Sequence, residues 1–146
     1  TFSAEQLYDS LTVATGRISS ADGVDGLLRT GNSSRQAFLS QFQAPTEQAT
    51  DFHLGIPQAL TLMNGRIVHN ATTSSTSGLL RSLSAPFFTD EQRIETLFLA
   101  TLGRRPVEEE TAALAAHVAA GDGSKMDRLG DILWALLNSP EFTLNH

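Results

Sequence analysis

An all-α fold, a small helical bundle of about six to seven helices with antiparallel C-terminal helices, is what this chain predicts. Three observations carry that expectation. Apolar residues recur at spacings of three and four, capping residues precede those runs, and glycine or proline closes them. No alternating run of useful length marks a strand. With 146 residues, 40% of them apolar and 18% charged, the chain reads as one globular domain spanning 1–146 rather than as a disordered segment. It opens on Thr1 without an initiator Met, a basic n-region or an apolar h-region. It is therefore expected to be the C-terminal fragment of a larger multidomain protein.

The first helix is expected from about Ala4 to Thr15. Ser3 and Gln6 form a capping box, Phe2 and Leu7 a staple, and Leu7, Tyr8, Leu11, Ala14 and Thr15 one face ending at Gly16. Gly16 to Asn32 is rich in glycine, serine and aspartate and reads as a loop, with a turn of helix at Val24 to Arg29. Ser33 or Ser34 then caps a helix carrying Ala37, Phe38 and Phe42 and ending before Pro45. Ile56-Pro57 opens another, with Leu60 and Met63 facing inward, Asn64-Gly65 closing or kinking it, and Ile67-Val68 adding one turn. The polar run Asn70 to Gly78 predicts a mobile loop. A short helix from Gly78 to Leu83 follows, with Phe87 and Phe88 expected to plug into the core.

The last third is the most strongly patterned. Thr89 and Gln92 spell a capping box ahead of the stripe Ile94, Leu97, Phe98, Thr101, Leu102, and Gly103 supplies the left-handed position that ends it. Pro106 is expected as the first residue of the next helix, which should end at Gly121, and Glu108, Glu109 and Glu110 meet the positive end of its dipole. Ser124 with Asp127 predicts the next cap, and Met126, Leu129, Ile132, Leu133, Leu136 and Leu137 its stripe, leaving Asp127, Arg128, Asp131 and Asn138 to solvent. Ser139-Pro140 stops that helix and starts a final turn that returns Phe142 to the core.

The runs LFLATLGRRPVEEE and LGDILWALLNSPEFTLNH resemble the ending of a planctomycete surface-protein family that carries the domain of unknown function 1553. Leu133 to Ser139, Glu141, Phe142, Asn145 and His146 match that family's terminal run, and SAEQLYDSLTVATG and IPQALTLMNG resemble stretches further upstream. The resemblance implies an exported protein of the periplasm or cell surface. It also implies a cytochrome-c-like module upstream, so haem elsewhere in a full-length chain and no cofactor here. Relatives run more helix across Asn70 to Gly78 than this composition suggests.

Composition narrows the function classes. A net charge of −6 and a single lysine argue against a nucleic-acid partner, since binding phosphates draws on clustered cations. No apolar run approaches the ~20 residues of a transmembrane helix. The absence of cysteine excludes thiolate metal ligands, cysteine nucleophiles and covalent haem attachment within these residues.

Candidate chemistry is sparse. Asp51 and His53, with His69 across the intervening helix, can be written as a metal site, though loop residues of this kind usually face solvent. His117 reads as the flank of a packing face, and His146 as part of the family ending. No Gly-x-Ser-x-Gly elbow follows a strand, so no nucleophile stands out among the serines and threonines. Glu108 to Glu110 resemble paired carboxylates but are better explained by the helix dipole. Arg104 and Arg105 are the candidates for an anion or interaction contact. The simpler reading is that one of them pins the interhelix turn to Glu109 or to a helix C-terminus. Trp134 and Phe142 can form a stacking platform for sugar, but on so apolar a helix Trp134 reads as core. Asn32-Ser33-Ser34 and Asn70-Ala71-Thr72 are sequons that mark loop surface.

The reading that accounts for most of these residues is a non-catalytic helical structural or interaction module of a larger envelope-associated protein. Its partners would be other domains of the same polypeptide, another protein or a polysaccharide. Two alternatives stand beside it. One is part of an exported enzyme system for polysaccharide breakdown or electron transfer, and the other is an adhesion or docking module with an uncovered apolar patch.

Overall fold

The computed structural model describes residues 4–16, 35–40, 65–120 and 123–144. Among these residues all regular structure is helical, as expected. The elements are α1 (Ala4–Ala14), α2 (35–40), α3 (Arg66–Thr72), α4 (Gly78–Leu83), α5 (Asp90–Leu102), α6 (Glu108–Ala120), α7 (Lys125–Leu137) and α8 (Pro140–Leu144). None of the described helices is long and apolar enough to cross a membrane.

The bundle is centred on α7, which packs against α3, α4, α5, α6 and α8, while α1 lies on α5. The period of the α7 sequence explains this position. Leu129, Ile132, Leu133, Leu136 and Leu137 are buried on one side, whereas Asp127 and Asp131 are exposed on the other. They meet Ile94, Leu97 and Phe98 of α5, Val118 of α6, Leu80 and Leu83 of α4 and Leu7 and Leu11 of α1 in one core. Tyr8 of α1 tilts against Phe38 of α2 with ring centroids 5.4 Å apart, which ties the first two described helices together.

Gly130 faces the same way as the leucines, and no stripe of apolar residues announces it. A Cβ built there would overlap the carbonyl oxygen of Thr72 at the end of α3, so glycine is what lets the two helices close. Gly78 plays the same part where α1 meets α4, since its Cβ would stand 2.7 Å from the Gly16 carbonyl oxygen.

The caps of α5 form as read. Thr89 Oγ1 accepts from the Gln92 amide at 3.2 Å, Gln92 Oε1 accepts from the Thr89 amide at 2.9 Å, and Gly103 sits at φ 68°. Other boundaries move. Helix α6 begins at Glu108 rather than Pro106, because Glu110 Oε2 reaches back to accept from the Val107 amide at 2.8 Å and makes Val107 the flanking position. Ser124 caps α7 through Met126 rather than Asp127, whose carboxylate accepts from the Ser74 hydroxyl at 3.0 Å instead.

The run from Asn70 to Gly78, expected as a mobile loop, is helix at its start and a hydrogen-bonded turn thereafter. Helix α3 continues to Thr72, and Ala71 is fully buried. The polar residues that suggest disorder supply their own structure. Thr73 Oγ1 donates to the His69 carbonyl at 2.7 Å, Thr76 Oγ1 to the Asn70 carbonyl at 2.5 Å, and the buried Ser77 hydroxyl caps α4 through the Leu80 amide at 3.3 Å.

Three apolar expectations are corrected as well. Phe88 packs against the core as expected, but Phe87 is 75% exposed, its ring tilted by 42° against that of Phe88. Ala37 faces solvent while Phe38 is buried. Trp134 is 36% exposed because it lies beside the buried stripe of α7, and Leu133 takes the interior position. The features expected at Phe2 and Ser3, across residues 17–34, at Phe42, from Ile56 to Asn64 and at Gly121 lie outside the described residues.

Candidate functional site

The connections between α4, α5, α6 and α7 are each held by an arginine. At the first, Arg93 of α5 is buried. Its Nε donates to the Leu83 carbonyl at 2.9 Å, one terminal nitrogen to the Ala85 carbonyl at 3.1 Å and the other to Asp90 Oδ1 at 2.8 Å. Leu83 is the last residue of α4, so a positive group sits where the helix leaves carbonyls unsatisfied. Asp90 also accepts from the chain's one lysine, Lys125, at 3.0 and 2.9 Å, joining the first turns of α5 and α7. Lys125 and then Arg93 hold the Asp90 carboxyl below its ordinary pKa.

At the third connection, Arg128 of α7 donates from Nε to the Val118 carbonyl at 2.8 Å and from a terminal nitrogen to the Gly123 carbonyl at 2.9 Å. It is half-buried, not the solvated charge its place on the polar side of α7 suggests.

The middle connection, residues 103–107, carries the densest polar cluster among the described residues. Arg104 donates to Glu110 of α6 through both terminal nitrogens at 2.9 Å each. To Glu141 of α8 it donates through Nε at 2.6 Å and a terminal nitrogen at 2.9 Å, and it also reaches the Arg105 carbonyl at 3.1 Å. These contacts occupy all five N–H groups of a guanidinium. Its central carbon lies 5.2 Å from the centroid of the Phe98 ring on α5. One side chain thus ties α5, α6 and α8. The Arg104 hydrogen bonds bring the Glu110 carboxyl down to about 2, with help from the Val107 amide, and lower that of Glu141, while the two carboxylates raise Arg104.

Pinning of the interhelix turn by an arginine is therefore present, with Glu110 in place of the anticipated Glu109. Arg105 points outward and pairs with Glu95 at 2.8 Å. Glu141 belongs to the cluster although its place in the sequence, one residue after Pro140, suggests only a favourable charge in a first turn.

Beside this cluster lies an open groove of about 710 Å³ between α1 and the last turn of α5. Ala14, Ala100, Leu102 and Phe142 give it an apolar lining, Val13 and Leu99 stand exposed along it, and Asp9 and Glu141 place carboxylates there. Its Thr101 hydroxyl is turned back to the Leu97 carbonyl at 2.7 Å. The same backward bond occupies Thr12, Thr72, Thr96, Thr111 and Thr143, each on its own helix.

Among the described residues, the other sequence candidates do not line the groove. His69 is exposed on α3, and Asp51 and His53 lie outside the described residues, as does His146. His117 stands on the exposed side of α6 with Nε2 3.8 Å from Asp131 Oδ2. Among the described residues no three His, Asp or Glu side chains group as a metal site would require. A chain without cysteine offers no thiols for covalent haem attachment. Of the two sequons, Asn32 is outside the described residues and Asn70 lies within α3 rather than in a loop.

A family model described as a protein of unknown function (DUF1553), PSD1, matches residues 26–118. No curated protein and no solved structure matches the chain.

Proposed function

Since the chain belongs to the family described as a protein of unknown function (DUF1553), we propose that it serves as a helical structural and interaction module of a larger exported, envelope-associated protein. The observation that carries this reading is where the strong polar groups go. Arg93, Arg104 and Arg128 are spent on helix ends and on carboxylates of neighbouring helices, where they hold the bundle's connections. Envelope location and membership of a larger polypeptide rest on the resemblance of the terminal run Leu133 to His146.

The discriminating experiment replaces Arg104 by Ala in the full-length protein and follows two readouts. A structural module loses thermal stability and keeps whatever hydrolytic or electron-transfer activity the full-length protein shows toward a dye-linked polysaccharide or a soluble electron acceptor. Loss of that activity at an unchanged melting temperature would assign the cluster to the enzymatic alternative. Fractionation of the source cells tests the location, and recovery with the cytoplasmic fraction contradicts it.

A further inference from the structure

We propose that α8 is a latched wall of the groove, a segment that detaches from α5 and α7 as a unit while the rest of the bundle stays folded, with Arg104 as its latch. The proposal concerns the groove and does not depend on the module reading.

Three observations combine. First, Pro140–Leu144 is five residues long, far below the length at which a helix persists without tertiary support. Second, its described attachments to the bundle are few and local. Phe142 is buried, and the Glu141 carboxylate is held by Arg104. The other described bonds of α8 are local, from the Phe142 amide to Ser139 Oγ, from the Thr143 amide and Oγ1 to the Ser139 carbonyl, and from Thr143 Oγ1 to the Pro140 carbonyl. Ser139, bonded to the Leu136 carbonyl at 2.7 Å, stays with α7 as the hinge. Third, both attachment points face the groove, since Glu141 and Phe142 line it beside Leu102 and Gly103. Release of α8 therefore removes one wall and uncovers the Leu102 side that Phe142 now flanks. Elements held by few contacts open before the core does, and α7, with five leucine and isoleucine side chains buried, belongs to that core.

The latch is specific in its chemistry. Arg104 keeps its fork to Glu110 when Glu141 leaves, so the guanidinium stays ion-paired although its Nε gives up the Glu141 acceptor to water, and what opening newly exposes is the Phe142 ring. Detachment thus requires no rearrangement of the α5–α6 connection.

Native-state hydrogen exchange on the unaltered chain at neutral pH is the test. Amides of Phe142 and Thr143 should exchange through an opening that is insensitive to low urea, and those of Leu133 and Leu136 only through global unfolding. Glu141→Gln should speed exchange in α8 by about two- to fivefold and leave α7 unchanged. A second readout uses the absence of native cysteine: Leu102→Cys should react with a soluble maleimide several-fold faster when combined with Glu141→Gln. If α7 and α8 exchange together with one urea dependence, or if Glu141→Gln changes neither exchange nor labelling, α8 is an ordinary part of the core and the latch is wrong.

Discussion

Arg104 and Glu141, separated by 37 positions, meet in a two-pronged pair, Nε to Oε1 at 2.6 Å and a terminal nitrogen to Oε2 at 2.9 Å. The same guanidinium holds Glu110 by a second fork, so a single residue in the connection between α5 and α6 sets the placement of both flanking helices and of the terminal turn.

This geometry fixes the sign of the acid response. Glu110 falls from an ordinary 4.5 to about 2 in the folded state, and Glu141 and Asp90 are lowered as well. Groups whose pKa drops on folding stabilise above their unfolded value and lose that contribution as pH falls through the folded one. Melting temperature should therefore be level near neutrality and decline from about pH 4.5 to about 2. Glu110→Gln should lower the neutral value and flatten the decline. An equally steep acid slope in that variant would place the linkage elsewhere.

Gly130→Ala should destabilise despite the helix-propensity gain of about 1 kcal/mol that alanine brings. The obstructing atom is the Thr72 backbone oxygen, which cannot swing aside as a side chain would, so a loss of about 3 kcal/mol is expected. Gly103→Ala has open space around its Cβ and φ 68°, so its cost is confined to backbone strain of about 1 kcal/mol. Urea titrations of both variants check the order.

Leu133→Ala should cost about 2–5 kcal/mol, since the side chain is fully buried and leaves a cavity. Trp134→Ala should cost less, the larger residue being the more exposed of the two. A melt in which Trp134→Ala is the worse variant would overturn the assignment of inner and outer positions on α7.

Arg93→Ala strips the Leu83 and Ala85 carbonyls of their side-chain donor, with an expected loss of about 1–3 kcal/mol. Arg93→Lys should recover only part, because an ammonium cannot present the fork that spans two carbonyls and Asp90. Full recovery in Arg93→Lys, read by thermal melts, would show that charge alone suffices.

What the sequence discloses and what it withholds follow from range. The box of Thr89 and Gln92, the turn at Gly103 and the stripe of α7 depend on neighbours within a few residues, and all three stand as read. Arg93, Arg104 and Arg128 are visible as charges, but their acceptors lie on other elements, and backbone carbonyls leave no signature in a sequence. Asp90 and Arg93 do offer a clue, being three apart on one helix. The groove is illegible for the same reason, since α1 and α5 are separated by more than seventy positions. Composition misleads at 70–78, where hydroxyl-rich residues close a turn on their own backbone while still facing solvent.

The arginine pins at Leu83, Ala85, Val118 and Gly123 all end on main-chain oxygens, which every amino acid carries. A side-chain change at those four positions thus leaves the acceptor atom itself in place, whereas a change at Arg93 or Arg128 removes the donor. The donors are therefore more exacting than the acceptors, although Leu83 and Val118 remain tied to the core by their side chains and Gly123 is held to glycine by its φ of 105°.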